Sequence, residues 1–168
     1  DMVEVVRQHA QTGVRVKPRN GAWKDHDAVL RPALLREGLC PKDVYRHNTI
    51  SFDAFLELER RDECPFDRDA VVLATGKGSS WNSIPAVIRI DETFARLVGY
   101  YLSEGCITDD GALRTRFCFG AHEPELIDDV CAILDGIGVR HSTHRLTTCA
   151  TVHVKVSSRL FAILLRDV

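Results

Sequence analysis

Two short stretches constrain this chain more than anything else in it. Ala112–Gly120 alternates, with Leu113, Thr115, Phe117 and Phe119 on one side and Arg114, Arg116 and Cys118 on the other. Thr151–Ser157 does the same, setting Val152, Val154 and Val156 against Thr151, His153, Lys155 and Ser157. A period of two with one apolar side is the pattern of a half-buried β-strand. Both stretches put cations on the polar side, with no acid interleaved. A fold that pairs them must therefore cover one face of a sheet and leave the other face basic.

The elements around these strands supply the cover. Asp91 can cap a helix that runs to Glu104 and stops at Gly105. The Asp109-Asp110-Gly111 turn predicts a hairpin partner around Cys106–Thr108. Pro124–Ile137 is amphipathic, with Ile127, Val130, Cys131, Leu134 and Ile137 inward and its acids outward. Residues 140–148 are the expected partner of the second strand, in poorer register. A third, apolar helix opens at Ser158. The order helix, hairpin, helix, hairpin, helix is an α+β layer with helices on one face of an antiparallel sheet.

Charge placement strengthens this reading. Over the whole chain, 22 Lys and Arg against 24 Asp and Glu leave a net charge of −2. That balance excludes a histone-like basic tail or an acidic disordered activator. Yet Glu123–Asp135 holds five acids and no base, while Gly138–Leu160 holds Arg140, Arg145, Lys155, Arg159 and three His with no acid. Acids and bases occupy different elements, as a directional electrostatic surface requires. The basic strand faces point to a nucleic-acid partner. Six cysteines at wide, irregular spacing fit reduced thiols in an intracellular, cytoplasmic protein better than a disulfide framework. No apolar run is long enough for a membrane span. The chain begins at Asp1, so a fragment of something longer is expected.

Residues 1–90 are expected to be mostly helical. Val3–Ala10, Ala28–Glu37, Lys42–His47 and Phe52–Arg60 read as short helices, and Val14–Trp23, with Asn20-Gly21 inside it, as a hairpin. Such a region is either a helical appendage or a helix-turn-helix-like DNA-binding accessory. Gly76–Ser80 reads as a loop or linker.

The chemistry concentrates in Leu97-Val98-Gly99-Tyr100-Tyr101-Leu102-Ser103-Glu104-Gly105. Ala95, Gly99 and Ser103 fall four apart and form a strip of small residues along one side of a helix. Such a strip either packs the helix closely on its own sheet or lets a second helix approach. Glu104 lies at the helix's negative end, where a carboxylate is unfavourable without a compensating cation or partner. Two such helices side by side would bring two carboxylates together, an oxygen-ligand site for a divalent cation.

This segment resembles the LAGLIDADG signature of homing endonucleases, in the variant form common in intein-borne members. The resemblance extends from the lead-in Asp91–Arg96 through Glu123-Pro124-Glu125-Leu126-Ile127 and Ile137-Gly138-Val139 to Ser157-Ser158-Arg159-Leu160. It covers nearly all of residues 91–168, in the order of the family's αββαββα half. It implies a site-specific endonuclease making an Mg²⁺-dependent double-strand break in a long DNA site. The enzyme would act as a homodimer or as half of a two-motif protein. Glu104 matches the metal-binding acid, and Lys155 is similar in placement to the basic residue near the scissile phosphate. Ala95, Gly99 and Ser103 match the helix-pairing strip. Arg114, Arg116, His153 and Ser157, with Arg140 and Arg145, would face the DNA. A non-catalytic regulator or RNA-splicing maturase on the same scaffold is the alternative.

Other motifs are weaker. His141-x-x-His144 with Cys149 is the nearest approach to a zinc cluster. Ala74–Ser79 lacks the first glycine and the Lys-Ser/Thr pair of a phosphate loop. His47-Asn48-Thr49 echoes an intein's C-terminal junction but lies upstream of the endonuclease-like region.

Overall fold

A computed structural model describes residues 1–9, 13–76 and 82–167. The chain is α+β throughout. Its first part runs α1 (Met2–Gln8), β1 (Arg15–Pro18), α2 (Asp27–Arg36), α3 (Pro41–His47), β2 (Ile50–Ser51), α4 (Phe52–Arg60), β3 (Val71–Thr75) and β4 (Asn82–Pro85). The four strands form an antiparallel sheet in the order β2-β1-β3-β4. The second part runs α5 (Glu92–Glu104), β5 (Gly105–Asp109), β6 (Leu113–Gly120), α6 (Pro124–Ile137), β7 (Ser142–Arg145), β8 (Thr151–Val156) and α7 (Arg159–Arg166). Its antiparallel sheet has the order β5-β6-β8-β7.

The second part follows the expected order element by element. Two of its three helices, α5 and α7, begin on a side-chain cap: the Phe94 amide donates to Asp91 Oδ1 at 3.0 Å, and the Phe161 amide to Ser158 Oγ at 3.3 Å. Caps of this kind contribute about 1 kcal/mol each. The alternation of β6 and β8 resolves as read. Phe117, Phe119, Val154 and Val156 are buried beneath α5, α6 and α7, each large side chain contributing roughly 1.5–3 kcal/mol. Their intervening neighbours stay on the open face.

The first part requires a correction. It is not simply helical: the short helices surround a four-stranded sheet, and the Val14–Trp23 hairpin does not form. β1 pairs with β2 and β3 instead, Val16 standing opposite Ile50 on one side and Leu73 on the other. Gly21 does turn, at φ +80, but it leads into a short 3-10 helix at Trp23–His26. Trp23 is fully buried there, its amide donating to Asn48 Oδ1 at 3.0 Å and its ring edge-on to Phe66. Burying the indole outweighs closing a hairpin through it. A helix-turn-helix is not formed either, because β2 stands between α3 and α4 as a sheet strand. Beyond Gly76, the expected Gly76–Ser80 loop lies outside the described residues, as does Ala10.

The two parts share one buried core, which runs from Met2, Trp23 and Leu73 to Phe94, Phe117 and Phe161. The Met2 amide donates to the Ala86 carbonyl at 2.9 Å, and His9 meets Asp167. Among the described residues no helix is long and apolar enough to cross a membrane.

Candidate nucleic-acid interface and acidic helix end

Helix α5 buries Phe94 and Leu97. At 100° per residue, Ala95, Gly99 and Ser103 lie diametrically opposite them, and all three are exposed. A Cβ built on Gly99 would meet nothing within 4 Å. Of the two readings of the small-residue strip, close packing on the chain's own sheet is thus excluded. Tyr100 and Tyr101 turn the other way. Tyr100 stacks edge-to-face on Phe119, and its hydroxyl donates to Asp129 at 2.9 Å, where Arg96 also makes an ion pair. The bulky side chains brace α5 against α6 and leave the strip open. Leu102, beside the strip, is 75% exposed.

Glu104 ends α5 and is exposed. The chain turns directly from it into β5 through Gly105, where a Cβ would stand 2.4 Å from the Tyr101 carbonyl oxygen. Only glycine fits that close approach. The turn delivers the carboxylate to the rim of the open sheet face, where it bears electrostatically on Cys118.

Strand register maps that face. Cys106 pairs with Arg116, Arg116 with Lys155, and Lys155 with Ser142, one row across all four strands. The next row joins Cys118, His153 and His144. Arg114 stands beside Thr108, and Ser157 follows the last residue of β8. No acid belongs to either row. Arg116 and Lys155 make no ion pair among the described residues, and Arg116 Nε is buried without a hydrogen-bond partner. Arg114 differs, being held by Asp110 at 3.1 Å. Burial, then the cations of Arg116 and Lys155 and the His144 ring, holds His153 below its ordinary value.

The sign of that last shift gives a prediction. A histidine whose folded-state pKa is depressed binds protons more readily when unfolded. Its contribution is present above 6.5 and lost as pH falls through the folded value. Urea unfolding across this range should show stability rising with pH, and His153→Gln should flatten the rise. An unchanged profile in the variant would contradict the assignment.

Two expected site residues stand elsewhere. Arg145 pairs with Val152, so it belongs to the helix-side face of the sheet, exposed only because β7 is an edge strand. Arg140 is exposed in the connection between α6 and β7, off the sheet. Sequence reasoning missed Thr108, Cys106, Ser142 and His144, which share the open face. Only the cross-strand register could have found them. The zinc-like cluster is not assembled. His141 Nδ1 faces the Val139 carbonyl at 3.4 Å and Asp135 at 3.6 Å, while His144 faces His153 across β7 and β8. Among the described residues no group of three or more His, Cys, Asp or Glu side chains is arranged to hold a metal ion. The expected divalent cation would therefore find one carboxylate per chain, half of an oxygen-ligand set.

No family model matches the chain, and no solved structure matches it. It is 39% identical over 119 residues, 67% of its length, to an uncharacterized protein of Methanocaldococcus jannaschii. A second uncharacterized protein of that organism is 47% identical over 47 residues, 28% of the chain. The matched stretches make up 13% and 6% of those proteins, so the chain spans only a small part of the relatives it resembles.

Proposed function

We propose that this chain is one half of a LAGLIDADG-type homing endonuclease of the intein-borne kind, cutting duplex DNA at a long specific site when two halves meet. The observation that carries the reading is the outward strip of α5, Ala95, Gly99 and Ser103, leading to an exposed carboxylate at the edge of a basic sheet face whose two central rows hold no acid. A helix face that spends its small residues on solvent gains nothing in the single chain. Against a second such helix it permits close backbone approach and brings two copies of Glu104 together. The αββαββα order of residues 92–166 supports the reading, as do stretches carried within two far longer proteins.

In this reading the open sheet face lies along the duplex. Arg116, Arg114 and Lys155 contact phosphates and guanine edges, with His153, His144, Ser142 and Ser157 adding hydrogen bonds. Glu104 and its counterpart on the other half would hold a divalent cation. Such an ion, Mg²⁺ above all, would supply Lewis acidity and an activated water for phosphodiester hydrolysis. Lys155, one row along and two strands across from the acid, offsets the charge that builds on the phosphate oxygens.

Selection from a randomised duplex library would supply a cleavable site and test the function at once. Recovery of no duplex that is bound or cut would sink the reading. On the selected site, Arg116→Ala should weaken binding and lower the slope of log affinity against log salt by about 1. Arg145→Ala, on the other face, should leave both within error. Equal losses from the two variants would refute the assignment of faces.

A further inference from the structure

The open sheet face carries two thiols besides its cations. Cys106 is exposed on β5 and Cys118 is half-buried on β6, and neither is in a disulfide. Cys106 stands opposite Arg116, so Cys118, two residues further along the neighbouring strand, lies diagonally across from it on the same face. Burial, and after it the neighbouring Cys106, pushes the Cys118 thiol above its ordinary value, as closeness of the two sulfurs requires. The remaining cysteines are placed apart. The Cys64 thiol donates to the Phe66 carbonyl at 3.2 Å, Cys131 lies beside Thr143 Oγ1 at 3.7 Å, and Cys40 and Cys149 are exposed in connections.

We propose that Cys106 and Cys118 are an oxidant-sensitive pair that closes a reversible disulfide between β5 and β6. With a peroxide as oxidant the chemistry balances. The exposed Cys106 sulfur attacks the peroxide; an S–O bond forms as the O–O bond breaks, and one water leaves. The Cys118 sulfur then attacks the sulfenic sulfur; the S–S bond forms, the S–O bond breaks, and a second water leaves. The two thiols give up two electrons and two protons in all.

Closure has a mechanical consequence. Diagonal neighbours in an antiparallel pair have Cα atoms roughly 7–8 Å apart, whereas a disulfide spans about 4.4–6.8 Å. The start of β5 must therefore draw toward β6. Glu104 lies two residues before Cys106, across the tight Gly105 turn, so the carboxylate moves with it. On the nuclease reading, on which this step rests, oxidation displaces the acid from its shared position and slows cleavage.

The test uses the full chain treated with hydrogen peroxide, blocked with iodoacetamide and digested for peptide mapping. The expected product joins Cys106 to Cys118, disappears on dithiothreitol treatment, is absent from Cys106→Ser and persists in Cys131→Ser. Oxidised protein in which these two cysteines stay alkylatable, or in which bridges join other cysteines, overturns the proposal. This readout needs no DNA, so it stands or falls apart from the nuclease reading. On a selected duplex, the bridged protein should cut about a hundredfold more slowly than the reduced one. Cys106→Ser should cut at a rate that peroxide does not change. A bridged chain that cuts as fast as the reduced chain overturns the consequence for Glu104.

Discussion

Replacing Glu104 by Gln is expected to abolish Mg²⁺-dependent cleavage of a selected duplex, by about a hundred- to a thousandfold or more, while binding is kept. The substitution preserves shape and removes only the charge. Glu104 is exposed and ends a helix, so the fold loses nothing when the carboxylate goes. Stability should stay within about 0.5 kcal/mol or rise slightly, because a negative charge at a helix's C-terminal end is itself unfavourable. Binding should hold or tighten, since one anion leaves a surface that faces phosphates. Cleavage time courses, gel-shift titrations and thermal melts on the two proteins separate the three quantities. A variant that cuts at the wild-type rate would refute the catalytic role and leave a binding-only protein on the same scaffold.

The parts of the fold that could be read from sequence are those where one face of an element is dry. In β6 and β8 a one-residue slip would carry Phe117, Phe119 and three valines into water, so the period of two is enforced and visible. In β7 all four residues, Ser142–Arg145, are exposed. Nothing apolar marks their register, and Arg145 was accordingly expected on the wrong face. The first sheet was hidden for another reason. Its strands have two to five residues, and the central strand β1 finds both partners across long separations, Val16 with Ile50 and with Leu73, so no local turn announces it. Helices α2, α3 and α4, whose signals are local, were legible. For the site, the sequence held Glu104, Arg116 and Lys155 as residues but not as neighbours. Their row, and the histidines and thiols beside it, exist only once the strands pair.

Whether α5 turns its small residues inward or outward was equally open until Tyr100 and Tyr101 were seen to face the chain's own core side. That orientation yields a prediction in which two effects have opposite signs. Gly99 sits in mid-helix with an ordinary helical backbone and open space around it. Gly99→Gln should therefore stabilise the isolated chain by about 0.5–1 kcal/mol, because glycine loses more backbone entropy on folding than a good helix former. The same side chain would stand between two helices that must approach closely, so pairing should weaken by at least about tenfold, roughly 1.4 kcal/mol. Thermal melts of the dilute chain measure the first effect. Sedimentation of the concentrated chain, or of the chain mixed with a second half, measures the second. A glycine kept only for its place in a single fold would give the reverse, a less stable chain with association unchanged. Loss of stability in Gly99→Gln would mean that the strip packs against the chain itself, and the paired acids would then have no structure to bring them together.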